Sequence, residues 1–162
     1  MKLLVCFDGS TESMRAVTYA KEHARALDEI VVFTAWEPLH DPRSSDAGQE
    51  AEDATQFVYV PPQDEWMKNE AKRRRNVAHA HAARAKAFLV AAGFAAVSTV
   101  CVEAADARSA IVAAIHREHA DTVVVGTRSH GLVAGSLLGS VSLHLALHAP
   151  CSVTIARATP EQ

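Results

Sequence analysis

Apolar residues arrive along the chain in short unbroken runs, separated by longer stretches in which they recur every three or four positions. The runs are "KLLVCF" at the start, "EIVVFTAW" from Glu29, "AAVSTVCVEA" from Ala95, "DTVVVG" from Asp121 and "CSVTIA" from Cys151. Continuous rather than alternating apolar character predicts strands covered on both faces. Between the first two runs, Met14, Val17, Ala20, Ala24 and Leu27 predict an amphipathic helix from Thr11 to Leu27. Ser10 is suited to be its N-cap, and Glu12 lies near the positive end of its dipole. A long helix rich in Ala, Lys, Arg and Glu is predicted from Glu65 to Ala92, stopped by Gly93. A third runs from Arg108 to His119 with Ile111 and Ile115 on one face, and a fourth opens near Gly139 and is blocked by Pro150.

The resulting order, βαβαβαβαβ, calls for right-handed crossovers, a mostly parallel sheet and helices on both faces, hence an α/β fold. Ligands of such sheets sit beyond the carboxyl ends of the strands, where the winding direction reverses. Two polar turns fall at that edge: "DGS" after the first strand and "GTRSHG" after the fourth.

The chain has 162 residues, which suits one domain. Hydrophobic residues make up 49%, charged residues 22%, and the net charge is -3, a balance that offers no general basic field for nucleic acid. No apolar run approaches the roughly 18 residues of a membrane span. Cys6, Cys101 and Cys151 are odd in number and widely spaced, which argues against a disulfide framework or a zinc site and for a cytoplasmic protein. The polar, acidic stretch from Glu37 to Asp64 interrupts the pattern and is expected to be a flexible insertion, with "FVYVPP" as an apolar island able to dock. "KRRRNVAHAHAARAK", residues 72 to 86, lacks interleaved aromatics and reads as a solvated helix face. The pairs His79 with His81, His116 with His119 and His144 with His148 have no completing carboxylate or cysteine, so no metal site is assigned.

The opening of the fourth helix carries the most chemistry. A helix N-terminus presents unpaired backbone N–H groups and a partial positive charge, so Gly139 and Ser140 can receive an anion without a basic side chain; equally, this pair can simply end a loop and cap a helix. Gly126 closes the fourth strand and Asp8 the first, bracketing the switch point with a phosphate site and an acid. Asp8 can accept a hydrogen bond from a ribose hydroxyl or meet a metal ion carried by phosphates, or it can stabilise its own turn, with Gly9 supplying an unusual backbone angle.

"VCFDGSTES", "DTVVVGTRSHG", "LLGSVS" and "HAPCSVTIAR" resemble the universal stress protein family over nearly the whole chain. The resemblance implies one domain over residues 1 to 158, a Rossmann-like three-layer sandwich with a five-stranded parallel sheet in the order 3-2-1-4-5, and a homodimer. It also implies ATP, or AMP or ADP in its place, with phosphates over Gly126, Gly139, Ser140, Val141 and Ser142. Asp8 and Gly9 would lie near the ribose and triphosphate, with Mg carried by the nucleotide, and the backbone of Ala35 along the adenine. Nucleotide-binding members carry Gly, two residues, Gly, nine residues, then Gly and Ser or Thr. Here the pattern begins at Gly126, meets Ser129 at the second glycine and resumes in register at Gly139 and Ser140. If position 129 needs a positive φ, the serine costs on the order of 1 kcal/mol or blocks the ligand; if not, its hydroxyl adds a donor. Arg128 and His130 are further phosphate partners, or point to solvent.

Three functions fit: a nucleotide-responsive stress-response dimer, a nucleotide-free dimeric interaction module that has lost its ligand through Ser129, and a slow ATP hydrolase. The last lacks a GxxxxGK[ST] loop and an identifiable second acid, so a binding protein is the leading expectation.

Overall fold

The computed structural model describes residues 1–39, 63–127 and 139–157. Nine elements alternate along them: β1 (Lys2–Cys6), α1 (Thr11–His23), β2 (Glu29–Trp36), α2 (Gln63–Ala91), β3 (Val97–Glu103), α3 (Ala107–Glu118), β4 (Thr122–Gly126), α4 (Ser140–His148) and β5 (Ser152–Ala156). The strands form one parallel sheet in the order β3-β2-β1-β4-β5, the Rossmann-like sandwich that the resemblance implied. Most of the expected insertion, residues 40–62 with its apolar island, lies outside the described residues.

Each face of the sheet has its own apolar layer. Leu3, Val5, Phe7, Ile30 and Val32 pack under α1 and α2 against Ala16, Val17, Ala82 and Leu89, while Leu4, Cys6, Val31, Phe33 and Val123 pack under α3 and α4 against Ile111, Ile115 and Leu145. Successive strand residues point to opposite faces, so both sides of the central strands must be apolar, which is why their runs are unbroken. Phe7 extends the pairing beyond β1, its N–H donating to the Phe33 carbonyl at 2.9 Å, and the buried Thr34 hydroxyl donates back to the Phe7 carbonyl at 2.8 Å.

The first helix ends earlier than the apolar spacing predicts. Ala24 turns to an extended conformation, and Leu27, expected on the buried stripe, is 95% exposed. Asp28 accounts for the break: its carboxylate accepts the Arg25 N–H at 2.8 Å and meets the amino group of Met1 at 3.0 Å, drawing the chain out of the helix towards β2. At the end of α3, His119 takes φ 51°, a left-handed C-cap without glycine.

Among the described residues, three carboxylates sit below their ordinary range: Asp28 through the Arg25 N–H and the neighbouring ammonium, Asp106 through Arg108 and Ser109, and Glu70, at about 2, through Arg73. A depressed folded value means that the stabilisation is complete above the unfolded value, near pH 4 to 4.5, and is lost as pH falls through the folded value. Acid unfolding should therefore steepen between about pH 4 and pH 2. The change should be shallower in Asp28→Asn when followed by far-UV circular dichroism; an unchanged profile would remove Asp28 from the account.

Candidate functional site

The carboxyl edge of the sheet opens into a cleft with about 710 Å³ of empty space, its mouth included, at the switch between β1 and β4. One wall is apolar: Phe33, Ala35, Ala107, Ile111, Val125 and Val141. The other is polar and comes from the turns that lead into helices: Asp8, Ser10, Glu12 and Ser13 from the β1–α1 turn, and Gly139, Ser140 and Ser142 from the start of α4. An apolar wall beside hydroxyls, a carboxylate and helix ends suits a ligand with a ring at one end and an anion at the other.

Asp8 is positioned by its own turn. One carboxylate oxygen accepts the Ser10 N–H at 3.0 Å and the Ser10 hydroxyl at 2.5 Å, and its backbone N–H donates to the Ser13 hydroxyl at 3.2 Å. Ser10 also caps α1, accepting the Ser13 N–H at 3.1 Å, while the Ser13 hydroxyl donates to the Ser10 carbonyl at 3.1 Å. Ser13 was missed in the sequence because a buried polar position inside a helix leaves no periodic signal. Gly9 is not part of the cleft lining. It adopts φ 88°, and a side chain there would run into the imidazole of His81 on α2, so the glycine shapes the turn and admits α2.

Gly126 does line the cleft, and it has a packing duty as well: an added Cβ would collide with the Glu12 carbonyl and lie 3.1 Å from the Ser13 Cα. The start of α1 thus rests directly on the last residue of β4, which brings its polar turn to the cleft. Gly139 is the N-cap of α4, with no side-chain hydrogen bond capping that helix, in contrast to Ser10 on α1 and Asp106 on α3. The Ser142 hydroxyl is buried and donates to the Gly139 carbonyl at 3.0 Å, so it tightens the first turn. Asp106 has a structural task, accepting the N–H groups of Arg108 and Ser109 and the Ser109 hydroxyl. Of the expected site residues, Asp8, Ala35, Gly126, Gly139, Ser140, Val141 and Ser142 come together around one cleft; Arg128 and Ser129 lie outside the described residues.

Cys6 lies at the base of the cleft, but burial, and secondarily the charge of Asp8, pushes its thiol up to about 12. A thiol so rarely ionised is a packing residue and a poor nucleophile. Among the described residues no group of three or more His, Cys, Asp or Glu side chains could hold a metal ion, and no helix is long and apolar enough to cross a membrane.

A parallel 3-2-1-4-5 sheet with a cleft at its switch point, bounded by an uncapped helix, defines a Rossmann-like sandwich of the kind whose sites lie at the strand ends. The sequence profile of the universal stress protein family matches residues 1–157, and the chain belongs to that family. It is 30% identical over 156 residues, 96% of this chain and 97% of the relative, to a universal stress protein of Thermus aquaticus encoded 3′ of a QAH/OAS sulfhydrylase. Among solved structures it resembles a universal stress protein in complex with cAMP, at 24% identity and a TM-score of 0.66 over 98% of each chain. It also resembles a universal stress protein family protein from Arabidopsis thaliana with AMP bound, at 18% identity and a TM-score of 0.60 over 99% of this chain and 93% of the other.

Proposed function

We propose that the chain binds an adenine nucleotide in this cleft and acts as a ligand-responsive stress-response dimer in the cytoplasm, without turnover. The observation that carries the reading is the uncapped N-terminus of α4, which opens on the cleft across from Asp8 and beside an apolar wall. The phosphates lie against Gly126 and the N–H groups that follow Gly139, at Ser140, Val141 and Ser142, where helix polarity favours negative charge. The base lies on that wall along the backbone of Ala35, against Ile111 and Val125. Asp8, on the turn shaped by Gly9, receives a ribose hydroxyl. The cAMP and AMP held by the two similar structures support this ligand class.

ATP is the fullest ligand for such a site. With no cluster of metal ligands among the described residues, a magnesium ion would arrive on the phosphates, and Asp8 is the hard oxygen placed to meet it. The ligand acts by differential affinity, holding one conformation or assembly over another. The dimer is supported by β5, which forms one edge of the sheet, and by Leu143 and Leu147 exposed on the preceding α4. A strand edge with unpaired backbone groups is satisfied by a second copy. Sedimentation should give a dimer at micromolar concentration; a monomer would overturn that part.

Thermal unfolding with AMP and with ATP tests the binding. At about 100 times Kd, ligand adds roughly 2.7 kcal/mol, a rise of about 5–10 °C in Tm for a chain of this size. No rise with either nucleotide, together with no nucleotide extracted from the native protein, would leave a nucleotide-free dimeric module. Sustained phosphate release abolished by Asp8→Asn would instead make it a hydrolase.

A further inference from the structure

The geometry points to a second ligand compartment, an open hollow with about 510 Å³ of empty space, its mouth included, between the end of β2 and α2, suited to the second nucleoside of a dinucleotide whose first adenosine occupies the cleft. The inference rests on the proposed nucleotide binding and extends it from a mononucleotide to a two-ring ligand joined by phosphate.

The two spaces meet over the strand ends. Phe33 and Ala35 face the α3 and α4 side of the sheet, while Thr34 and Trp36 face α2, because neighbouring strand residues alternate. Asp8 and Ala35 line both spaces, so the hollow begins where the cleft ends. Its chemistry is that of a ring and a phosphate. Trp36 presents a half-buried indole, its ring 6.0 Å from that of His79, and Arg73, Arg74 and His81 stand along α2 with Val77 and Ala78 between them.

Glu70 pins the two guanidinium groups, accepting from Arg73 at 2.6 and 2.7 Å and from Arg74 at 3.3 Å, while Arg74 also reaches the Glu37 carbonyl at 3.4 Å. Two cations held by one carboxylate keep a surplus positive charge and spare N–H donors, already oriented. A base stacked on Trp36 and a linking phosphate beside Arg74 use both features. Asp8, the one carboxylate lining the hollow among the described residues, stands at the shared boundary, where it can take hydroxyls of either ribose.

The test compares AMP with 5′-phosphorylated ApA (pApA), two adenosines joined by one phosphate and carrying a second on the 5′ oxygen, so that the α4 end keeps its phosphate while the linking one reaches Arg74; a Trp66→Phe background makes Trp36 the only indole of the chain. The ligand pApA should bind about tenfold more tightly than AMP and quench the Trp36 emission, as base stacking on an aromatic does. Trp36→Ala and Arg74→Ala should each remove most of that gain and leave AMP within twofold, whereas Trp36→Phe should keep it. Equal affinity for the two ligands, or a pApA gain indifferent to Trp36→Ala and Arg74→Ala, would overturn the compartment while nucleotide binding stands. Absence of binding by both ligands would overturn the compartment together with the proposed function.

Discussion

Replacing Gly139 with aspartate should abolish the nucleotide-induced rise in Tm while leaving the unliganded protein as stable as before, or slightly more so. Gly139 has φ -67° and ψ 161°, an extended conformation open to any residue, and it occupies the N-cap of a helix that has no side-chain cap. Aspartate is a preferred N-cap and should add a few tenths of a kcal/mol to α4. The same carboxylate would occupy the N–H groups that the proposal gives to phosphate and would confront it with like charge. Losing one or two charge-assisted hydrogen bonds of roughly 1.5–3 kcal/mol each corresponds to about tenfold at the least and about 10⁴-fold at the most in affinity, before the repulsion between the two anions is added. The two effects have opposite signs, so general damage to the fold cannot imitate the result. A variant that keeps the full thermal shift would remove the α4 terminus from the site.

Gly126→Ala should lower Tm by about 2–12 °C, from roughly 1–3 kcal/mol of overpacking in a chain of this length. The added methyl group would meet the Glu12 carbonyl and the Ser13 Cα, both backbone atoms that can retreat only if α1 moves. Moving α1 also shifts Ser10 and Ser13, which hold Asp8, so nucleotide affinity should fall together with stability. Gly93→Ala is the control. That glycine has φ 99° and nothing within 4 Å of an added Cβ, so its replacement carries only backbone strain, about 1 kcal/mol. If calorimetry finds Gly126→Ala no worse than Gly93→Ala, the close contact between α1 and β4 is not a constraint.

The strands and most helix limits were legible because each rests on a local rule: unbroken apolar runs for strands covered on both faces, Ser10 as a cap, Gly93 as a stop. The end of α1 was not, since the apolar spacing continues to Leu27 while Asp28 draws the chain away through contacts with Arg25 and the distant Met1 amino group. The cleft was legible in its main residues, because strand ends and helix starts of a parallel sheet converge at one edge. What remained hidden were meanings set by residues remote in sequence. Gly126 read as room for phosphate, yet it also seats α1; Gly9 read as a site residue, yet it admits His81. Trp36, Arg73 and Arg74 read as a strand end and a solvated helix face, and only the packing of α2 on β2 sets them around one hollow.

The place of β1 in the middle of the sheet bears on how the protein is made. β1, synthesised before the other strands of this sheet, is hydrogen-bonded on one side to β2 but on the other to β4, which ends about 120 residues later. At bacterial or eukaryotic translation rates that interval is roughly 6–24 s, during which one flank of a strand that is apolar from Leu3 to Cys6 has no partner from its own chain. Nascent chains stalled before β4 should therefore depend on chaperones, a dependence that ends once β4 emerges and closes that flank.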